Sequence, residues 1–318
     1  MPRPRCTAVA VCFAIAAALP AWAQIAADAP AAAAPQPVSK PAPFATGAYE
    51  TSDFAVVTDA VKSAVAKHGA GKVLLVCDID NTLLAMRGDL GSDQWFEWQE
   101  YLLENEPGSP DLVADSFPEL LAAQGILFSL GTMRPPQDDL PEQIEKAQAM
   151  GVRTLVLTSR GDEYRQATER ELRANGYDFA STVLPTKGFP CGVFTPYDLD
   201  AIEQSGITKE EARRFQLGKP RGVSFSGGVF MAAGQHKGAM LLSVLARCDE
   251  EFAAVIFVDD HGRHIVRVYD ALAGRGVEVA SIHYQREDAN VDRFNYGDKQ
   301  DVARKWRRLE KTLDAVFN

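Results

Sequence analysis

The chain has 318 residues, a formal net charge of -10, 46% hydrophobic residues and five cysteines. This acidic balance argues against non-specific binding to nucleic acid, because a phosphate backbone requires clustered Lys and Arg side chains. A small anionic substrate is compatible with it, since a bound metal ion can outweigh the overall charge locally.

The first 23 residues have the pattern of a signal peptide. Arg3 and Arg5 precede an apolar stretch from Ala8 to Leu19, and Ala21-Trp22-Ala23 forms a small-x-small cleavage site. The apolar stretch is shorter than the roughly 20 residues that a membrane-spanning helix needs. We therefore expect cleavage, a periplasmic or secreted location in a bacterium, and no stable membrane association afterwards.

The Ala- and Pro-rich composition of residues 24–46 predicts a disordered linker. Residues 47–318 suit a single α/β domain with a small helical cap inserted at about 85–136. Three cysteines follow the leader, and this odd number argues against a disulfide scaffold, although a bridge between Cys191 and Cys248 stays open.

A helix is predicted at Ser52 to His68, and the apolar run after it ends in Asp78-Ile79-Asp80-Asn81-Thr82. An unbroken apolar run predicts a strand buried on both faces. Open α/β folds bind ligands at the carboxyl ends of such strands, where two acids would repel unless they share a proton or a cation. The segment is either a nucleophile and proton donor beside a divalent metal, or an Asp-rich turn that caps nearby amides.

The predicted cap contains helices at Ser92–Glu106 and Pro118–Gln124, followed by a loop at Gly131–Pro136. The first of these helices is crowded with aromatic residues, among them Trp95 and Trp98. These rings could stack on a substrate, but their spacing of three and four residues favours packing of the cap onto the body.

The second core strand is predicted at Val152–Thr158 and continues into Ser159 and Arg160. A hydroxyl of Thr158 or Ser159 could donate to a phosphate oxygen, or could instead cap the helix predicted at Asp162–Asn175. Arg160 could bind the phosphate, or could lie in solvent.

Lys237 opens a predicted helix at Lys237–Cys248, and the third core strand at Phe252–Val258 ends in Asp259-Asp260. An ammonium group here would neutralise both a nucleophilic carboxylate and the phosphoryl group, although a single lysine is more often a solvated surface residue. Two adjacent acids after an apolar strand complete an oxygen-rich site that suits a hard cation such as Mg²⁺.

Strands that alternate with helices predict a doubly wound, Rossmann-like parallel sheet with helices on both faces. The further elements are predicted at Gln143–Met150, near Thr208–Phe215, Val223–Ala232, Gly262–Ala273, Val277–Tyr284 and Asp298–Phe317. The acidic pairs, the hydroxyls and the lysine then follow one another in the order that a single active site requires.

The segment from Lys72 to about Tyr284 resembles the haloacid dehalogenase-like hydrolase superfamily in its phosphatase form. The Asp78-x-Asp80 motif is the specific part of this resemblance, and the other three motifs are individually weak. The run from Phe225 to Leu245 is similar to a branch of secreted bacterial members whose role is undefined.

The resemblance implies that Asp78 is the nucleophile, Asp80 the general acid and base, and Lys237 the charge-neutralising residue. An acid at Asp80 favours hydrolysis of the phosphorylated enzyme, because it can activate water.

For the substrate, the resemblance implies that Thr158 binds the phosphate, with Ser159 as an alternative and Arg160 beside them. For Mg²⁺ it implies ligands among the acidic residues Asp78, Asp80 (through its backbone carbonyl), Asp260 and Asp259. Asp260 is favoured over Asp259 because it aligns better with the acidic position of the superfamily.

The sequence thus predicts an Mg²⁺-dependent phosphatase that acts on a phosphomonoester through an aspartyl-phosphate. The rival hypotheses are a phosphotransferase of the same fold and a secreted binding protein with little or no turnover. The prediction requires the Asp78 carboxylate to lie within roughly ten ångströms of Lys237 and Asp260, as strand-edge groups of one crevice do.

Overall fold

A computed structural model describes residues 44–185 and 187–317. The predicted signal peptide and residues 24–43 of the predicted linker lie outside the described residues. Phe44 is buried, and the Thr46 hydroxyl accepts a hydrogen bond from the Val279 amide at 3.2 Å. The last residues of the predicted linker therefore pack against the folded part of the chain.

An eight-stranded sheet forms the centre of the described residues. Its strands are, in chain order, β1 (Gly47–Thr51), β2 (Val73–Cys77), β5 (Arg153–Thr158), β6 (Val193–Phe194), β7 (Val223–Ser226), β8 (Val229–Met231), β9 (Ala254–Asp259) and β10 (Glu278–Tyr284). A separate two-stranded ribbon pairs β3 (Ala85–Met86) with β4 (Met133–Arg134).

The strand order across the sheet is β1-β10-β9-β2-β5-β8-β7-β6. The first six strands are parallel, whereas β7 runs antiparallel to both β8 and β6. The predicted α/β class with a mostly parallel sheet is therefore confirmed.

Ten α-helices lie within the described part of the chain. They are α1 (Ala55–His68), α2 (Asp93–Asn105), α3 (Phe117–Leu130), α4 (Leu140–Ala149), α5 (Arg165–Ala174), α6 (Lys209–Arg214), α7 (Lys237–Leu245), α8 (Gly262–Leu272), α9 (Asp288–Tyr296) and α10 (Gln300–Phe317). The edge strand β1 and helix α9 were not predicted, and α3 is longer than the predicted Pro118–Gln124.

Alternate residues of β2 point into two separate cores, one on each face of the sheet. Leu75 and Cys77 pack with α1 and α4, whereas Leu74 and Val76 pack with α7 and α8. Every residue of β2 is buried, so the apolar run is continuous because helices cover both faces.

The cap helices α2 and α3 form a third apolar cluster with α9 and α10. Trp95 is fully buried and its ring lies 6.1 Å from that of Trp306, while the ring of Trp98 lies 6.0 Å from that of Phe294. These aromatic residues pack the cap, as their helical spacing favoured.

Two further expectations from the sequence can be compared with the structure. Cys77, Cys191 and Cys248 are all free thiols, so the bridge that the sequence left open is not formed. Among the described residues, none of the helices combines the length and the apolar character needed to cross a membrane.

Candidate functional site

The carboxyl ends of three adjacent strands meet at one edge of the sheet. Cys77 of β2 stands opposite Val156 of β5 on one side and Val258 of β9 on the other. Because these strands are parallel, the residues that follow them leave the sheet together, which brings Asp78 beside Asp259.

Lys237 lies between the two leading carboxylates. Its Nζ is 2.6 Å from Oδ1 of Asp78 and 2.6 Å from Oδ2 of Asp259, and its side chain is fully buried. Burial disfavours the ammonium, but Asp259 and Asp78 outweigh this effect and raise the pKa of Lys237 above its ordinary value. The lysine is therefore a charged group inside the protein and not a solvated surface residue.

The start of α7 holds Lys237 in this place. The His236 imidazole accepts a hydrogen bond from the Ala239 amide at 3.1 Å and so caps the helix. A Cβ at Gly238 would overlap the carbonyl oxygen of Arg267 in α8. Glycine at this position therefore allows the first turn of α7 to approach α8 closely.

Protein groups satisfy both oxygens of Asp259. Oδ1 accepts hydrogen bonds from the His261 amide at 2.9 Å and from His264 Nδ1 at 3.1 Å, and Oδ2 accepts one from Lys237. Burial would raise the pKa of Asp259, but Lys237 and His264 together lower it below its ordinary value. Burial and the charge on Lys237 lower the pKa of His264 to about 4, so this ring is neutral.

Asp260 has the opposite environment. Its side chain is 9% exposed, and its Oδ1 is buried without a hydrogen-bond partner among the described residues. Burial raises the pKa of Asp260 well above its ordinary value against the lowering effect of His261, and the charges of Asp259 and Asp93 raise it further. A buried carboxylate in this state requires a proton or a cation.

Asp78 has one oxygen bound and one oxygen available. Oδ1 contacts Lys237, and Oδ2 makes no hydrogen bond within the described residues. Burial raises the pKa of Asp78 to about 7 in spite of the opposing charge of Lys237.

The donor set fits a hard cation. Single oxygens of Asp78, Asp259 and Asp260 lie within 4.8 Å of one another, and carboxylate oxygens are the ligands that Mg²⁺ prefers. Because both oxygens of Asp259 are already engaged, Asp78 and Asp260 are better placed to hold an ion. The required proximity of Asp78 to Lys237 and Asp260 is met.

Asp80 and Arg160 form a bidentate ion pair at the side of this cluster. Arg160 donates from Nε at 2.9 Å and from Nη2 at 2.7 Å to the two carboxylate oxygens. Its guanidinium also donates to Thr168 at 2.8 Å and lies 3.9 Å above the Phe128 ring. Arg160 is therefore committed to Asp80 and packed in the interior, and it does not present a free guanidinium to a phosphate.

A tight turn directly follows Asp78 and Asp80 at the carboxyl edge of the sheet. Asn81 has a φ of 54°, in the left-handed region that Asn tolerates better than most residues. Its amide donates to Leu84 O at 2.8 Å, and the Thr82 amide donates to Ile79 O at 3.1 Å. This backbone reversal turns the chain directly after Asp80, three residues beyond the end of β2.

The two predicted hydroxyls differ in their surroundings. Thr158 is fully buried and its Oγ1 accepts the Arg160 amide at 3.1 Å, so it stabilises the turn after β5. Ser159 is exposed, and its carbonyl accepts the Gly234 amide at 2.7 Å. The Ser159 hydroxyl is thus the more accessible of the two.

One contact of the cap with this edge was missed by sequence reasoning. Asp93, at the start of α2, lies 2.9 Å from Nε2 of His261, and Glu97 lies 3.8 Å from the same atom. Burial opposes the charged imidazole, but Asp260 and Asp93 raise the pKa of His261 to about 11. The spacing of Asp93, Glu97 and Glu100 along one helix face was the available signal.

A family model described as a protein of unknown function (DUF2608) matches residues 50–317. The chain belongs to this family. No model of the haloacid dehalogenase-like superfamily matches it, so the superfamily assignment made from the motifs is wrong. Acids at the ends of parallel strands were enough to produce the resemblance, and the DUF2608 model covers nearly the whole described chain. No curated protein and no solved structure matches this DUF2608 protein.

Proposed function

We propose that this DUF2608 protein is a divalent-metal-dependent phosphatase that forms an aspartyl-phosphate on Asp78. The observation that carries the proposal is the buried Lys237 between Asp78 and Asp259, next to Asp260, whose Oδ1 is buried without a partner among the described residues. These three buried carboxylates have Lys237 and, 3.9 Å from Oδ2 of Asp260, His261 as cationic neighbours, and a divalent cation would offset the negative charge that remains. A site that requires a cation and offers a carboxylate oxygen suits an anionic phosphate substrate.

In the first step, Oδ2 of Asp78 attacks the phosphorus atom. The bond from Oδ2 to phosphorus forms while the bond from phosphorus to the leaving oxygen breaks, and that oxygen takes a proton from the protonated form of Asp80. Lys237 contacts the other Asp78 oxygen and offsets the charge that gathers on the transferred group. Mg²⁺, held by Asp78 and Asp260, would neutralise phosphate charge when bound.

In the second step, water attacks the phosphorus atom and Asp78 leaves as a carboxylate. Asp80 would accept the proton of this water, which restores the proton that it gave to the leaving oxygen, and the two hydrogen bonds from Arg160 fix its orientation. The products are inorganic phosphate and the regenerated carboxylate.

The Asp80–Arg160 pair also favours a second candidate function, which is phosphate binding without turnover. A carboxylate held by two charge-assisted hydrogen bonds is a poor proton donor for a leaving alcohol. A protein with this pair would capture a phosphorylated ligand and release it unchanged.

Hydrolysis of an aryl phosphate separates the two candidates, because its leaving group departs without a proton. We expect the wild type to release the phenol in Mg²⁺ and to lose this activity in EDTA and in Asp78→Asn. Binding of inorganic phosphate by the wild type, with no hydrolysis in Mg²⁺ or Mn²⁺, would overturn the phosphatase proposal and support the binding protein.

A further inference from the structure

Arg221 lies on a loop that is fastened to the segment leading into Lys237. The buried side chain of Gln235 accepts the Arg221 amide at 2.9 Å and donates to the Arg221 carbonyl at 3.1 Å. The same amide group donates to Ala232 O at 3.0 Å. The backbone of Arg221 is therefore held in a fixed position beside the candidate site.

The loop that Gln235 fastens is itself attached to the end of β5. The Gly234 amide donates to Ser159 O at 2.7 Å and the Ala233 amide donates to Arg160 O at 3.1 Å. Nη2 of Arg221 lies 3.2 Å from the position that a Cβ would occupy at Gly234. The guanidinium therefore lies against the loop that bonds to Ser159, at the carboxyl edge of the sheet.

The guanidinium of Arg221 has no acidic partner. It makes no ion pair and no hydrogen bond with the described residues, and Arg221 is exposed. The situation of Arg160 is the reverse, because Arg160 is buried and bonded twice to Asp80. Of these two arginines at the edge of β5, Arg221 is the one available to a ligand.

Its distance from Asp78 decides which part of a ligand it would meet. Arg221 leads into β7, three strands away from β2, but its guanidinium lies against Gly234, which follows β8, two strands away from β2. At the usual strand spacing this places the guanidinium roughly 10 Å from the nucleophile. That separation is too long for the transferred phosphoryl group and suits a second group on the leaving part of the substrate.

The charges across the edge are arranged unequally. On the β9 side lie the acids Asp93 and Glu97, which face His261, and Glu100 follows them on the same helix. Burial, and after it the neighbouring Glu97, raise the pKa of Glu100 to about 7. These three acids outnumber the cations His261 and Arg263 beside them, so a second anionic group would be drawn towards Arg221 and not to this side.

We infer that Arg221 is a specificity-determining residue that binds a second anionic group of the substrate. The substrate class is then a phosphomonoester that carries a carboxylate or another phosphate on its leaving part. This inference rests on the proposed phosphatase function and extends it to a class of substrate.

Two matched pairs of substrates test the inference. Fructose 1,6-bisphosphate is compared with fructose 6-phosphate, and 3-phosphoglycerate with glycerol 3-phosphate, by kcat/KM in Mg²⁺. We expect the wild type to prefer the member with the second anionic group. Arg221→Gln should lower kcat/KM about tenfold for that member, as expected for the loss of one charge-assisted hydrogen bond, and should change kcat/KM little for the other member of the pair. The pair with the larger loss tells whether the second group is a phosphate or a carboxylate.

Arg173→Gln is the matched control. Arg173 is exposed and lies in the last turn of α5, which runs back from the carboxyl edge of the sheet. It should leave both pairs unchanged. Equal losses of kcat/KM on both members of each pair in Arg221→Gln, or a wild type that prefers the members without the second anionic group, would overturn the inference.

Binding without turnover separates this inference from the proposed function. Calorimetric titration of Asp78→Asn with the same compounds in Mg²⁺ should show weaker binding of the doubly anionic members when Arg221→Gln is added. That result would support the role of Arg221 even if the wild type hydrolyses nothing. Unchanged affinities would overturn it even if the wild type is a good phosphatase.

Discussion

Asp259 and Asp260 are adjacent in sequence, but the regions around them are organised in opposite ways. On the Asp259 side, Lys237, His264 and a backbone amide occupy both carboxylate oxygens. On the Asp260 side, a buried oxygen has no partner among the described residues. Internal charges that are matched hold the fold together, whereas an unmatched buried carboxylate indicates a place for a ligand.

Removal of Lys237 should have the largest effect on this arrangement. Lys237→Met leaves two buried carboxylates facing each other without their ammonium group, and we expect a loss of about 3–5 kcal/mol in the free energy of unfolding. Urea unfolding of the metal-free protein measures this. Lys305→Met, which removes an exposed ion pair of α10, should stay close to the wild type. A loss below about 1 kcal/mol in Lys237→Met would contradict the structural role of the ammonium.

The adjacent acids should respond differently to the same substitution. With Mg²⁺ at a hundred times its Kd, the wild type should gain about 2.7 kcal/mol of stability. Asp260→Asn should lose this gain while its metal-free form is at least as stable as the wild type, because burial and the neighbouring acids disfavour the charge of Asp260 more than His261 favours it. Asp259→Asn should instead destabilise the metal-free protein, because Lys237 loses its counter-charge and one of the two acceptor oxygens becomes an NH2 donor that faces other donors. Thermal unfolding with and without Mg²⁺ distinguishes the two, and identical behaviour of the variants would refute the contrast.

The stability of the metal-free protein should depend on pH, because the pKa values of buried groups around Asp78 and Asp260 are shifted in the folded state. The pKa of Asp78 rises to about 7 in the folded state from about 3.9 in the unfolded chain, so stability is lost as pH rises towards 7. His261, with a pKa of about 11, acts in the same direction above about pH 6.5. His264, with a pKa of about 4, acts in the opposite direction, but only below about pH 6.5.

Between pH 6.5 and 8 we therefore expect the metal-free stability to fall by about 2 kcal/mol. The measurement is a series of urea midpoints in EDTA, and Asp78→Asn should reduce the slope. A stability that rises over this interval would show that the pKa values of Asp78 and His261 are not raised in the folded protein.

The smallest expected effect concerns the cap. Asp93→Asn removes the closest acid from the charged His261, and because this pair is partly exposed we expect a loss of only about 1 kcal/mol. The stabilisation by Mg²⁺ should survive. Its loss would instead place the ion among Asp93, Asp260 and His261, which also offer atoms within 4.8 Å of one another.

Local sequence signals predicted the sheet and the meeting of the acids, but not the partners of each side chain. The apolar run before Asp78 predicted a central strand because both of its faces are covered. The pairing of Arg160 with Asp80 joins residues 80 positions apart in the chain, and no pattern within a single segment reveals such a contact. The edge strand β1 was missed because it is short and partly exposed.

The error in family assignment has a similar cause. Asp78-x-Asp80, Lys237 and Asp259-Asp260 describe the end of a parallel sheet that gathers acids and a lysine. The match of the DUF2608 model depends on residues 50–317 as a whole. Motifs of a few residues describe the chemistry of an edge better than they describe ancestry.

The central claim is that Asp78 forms an aspartyl-phosphate, and chemical capture of this intermediate tests it most directly. The protein is mixed with an aryl phosphate in Mg²⁺, quenched with acid and reduced with borohydride, which converts an aspartyl-phosphate into homoserine. Mass spectrometry of the digested protein should find homoserine at position 78, and only when both substrate and Mg²⁺ were present. Steady release of phosphate with an unmodified Asp78, or with full activity in Asp78→Asn, would contradict the account.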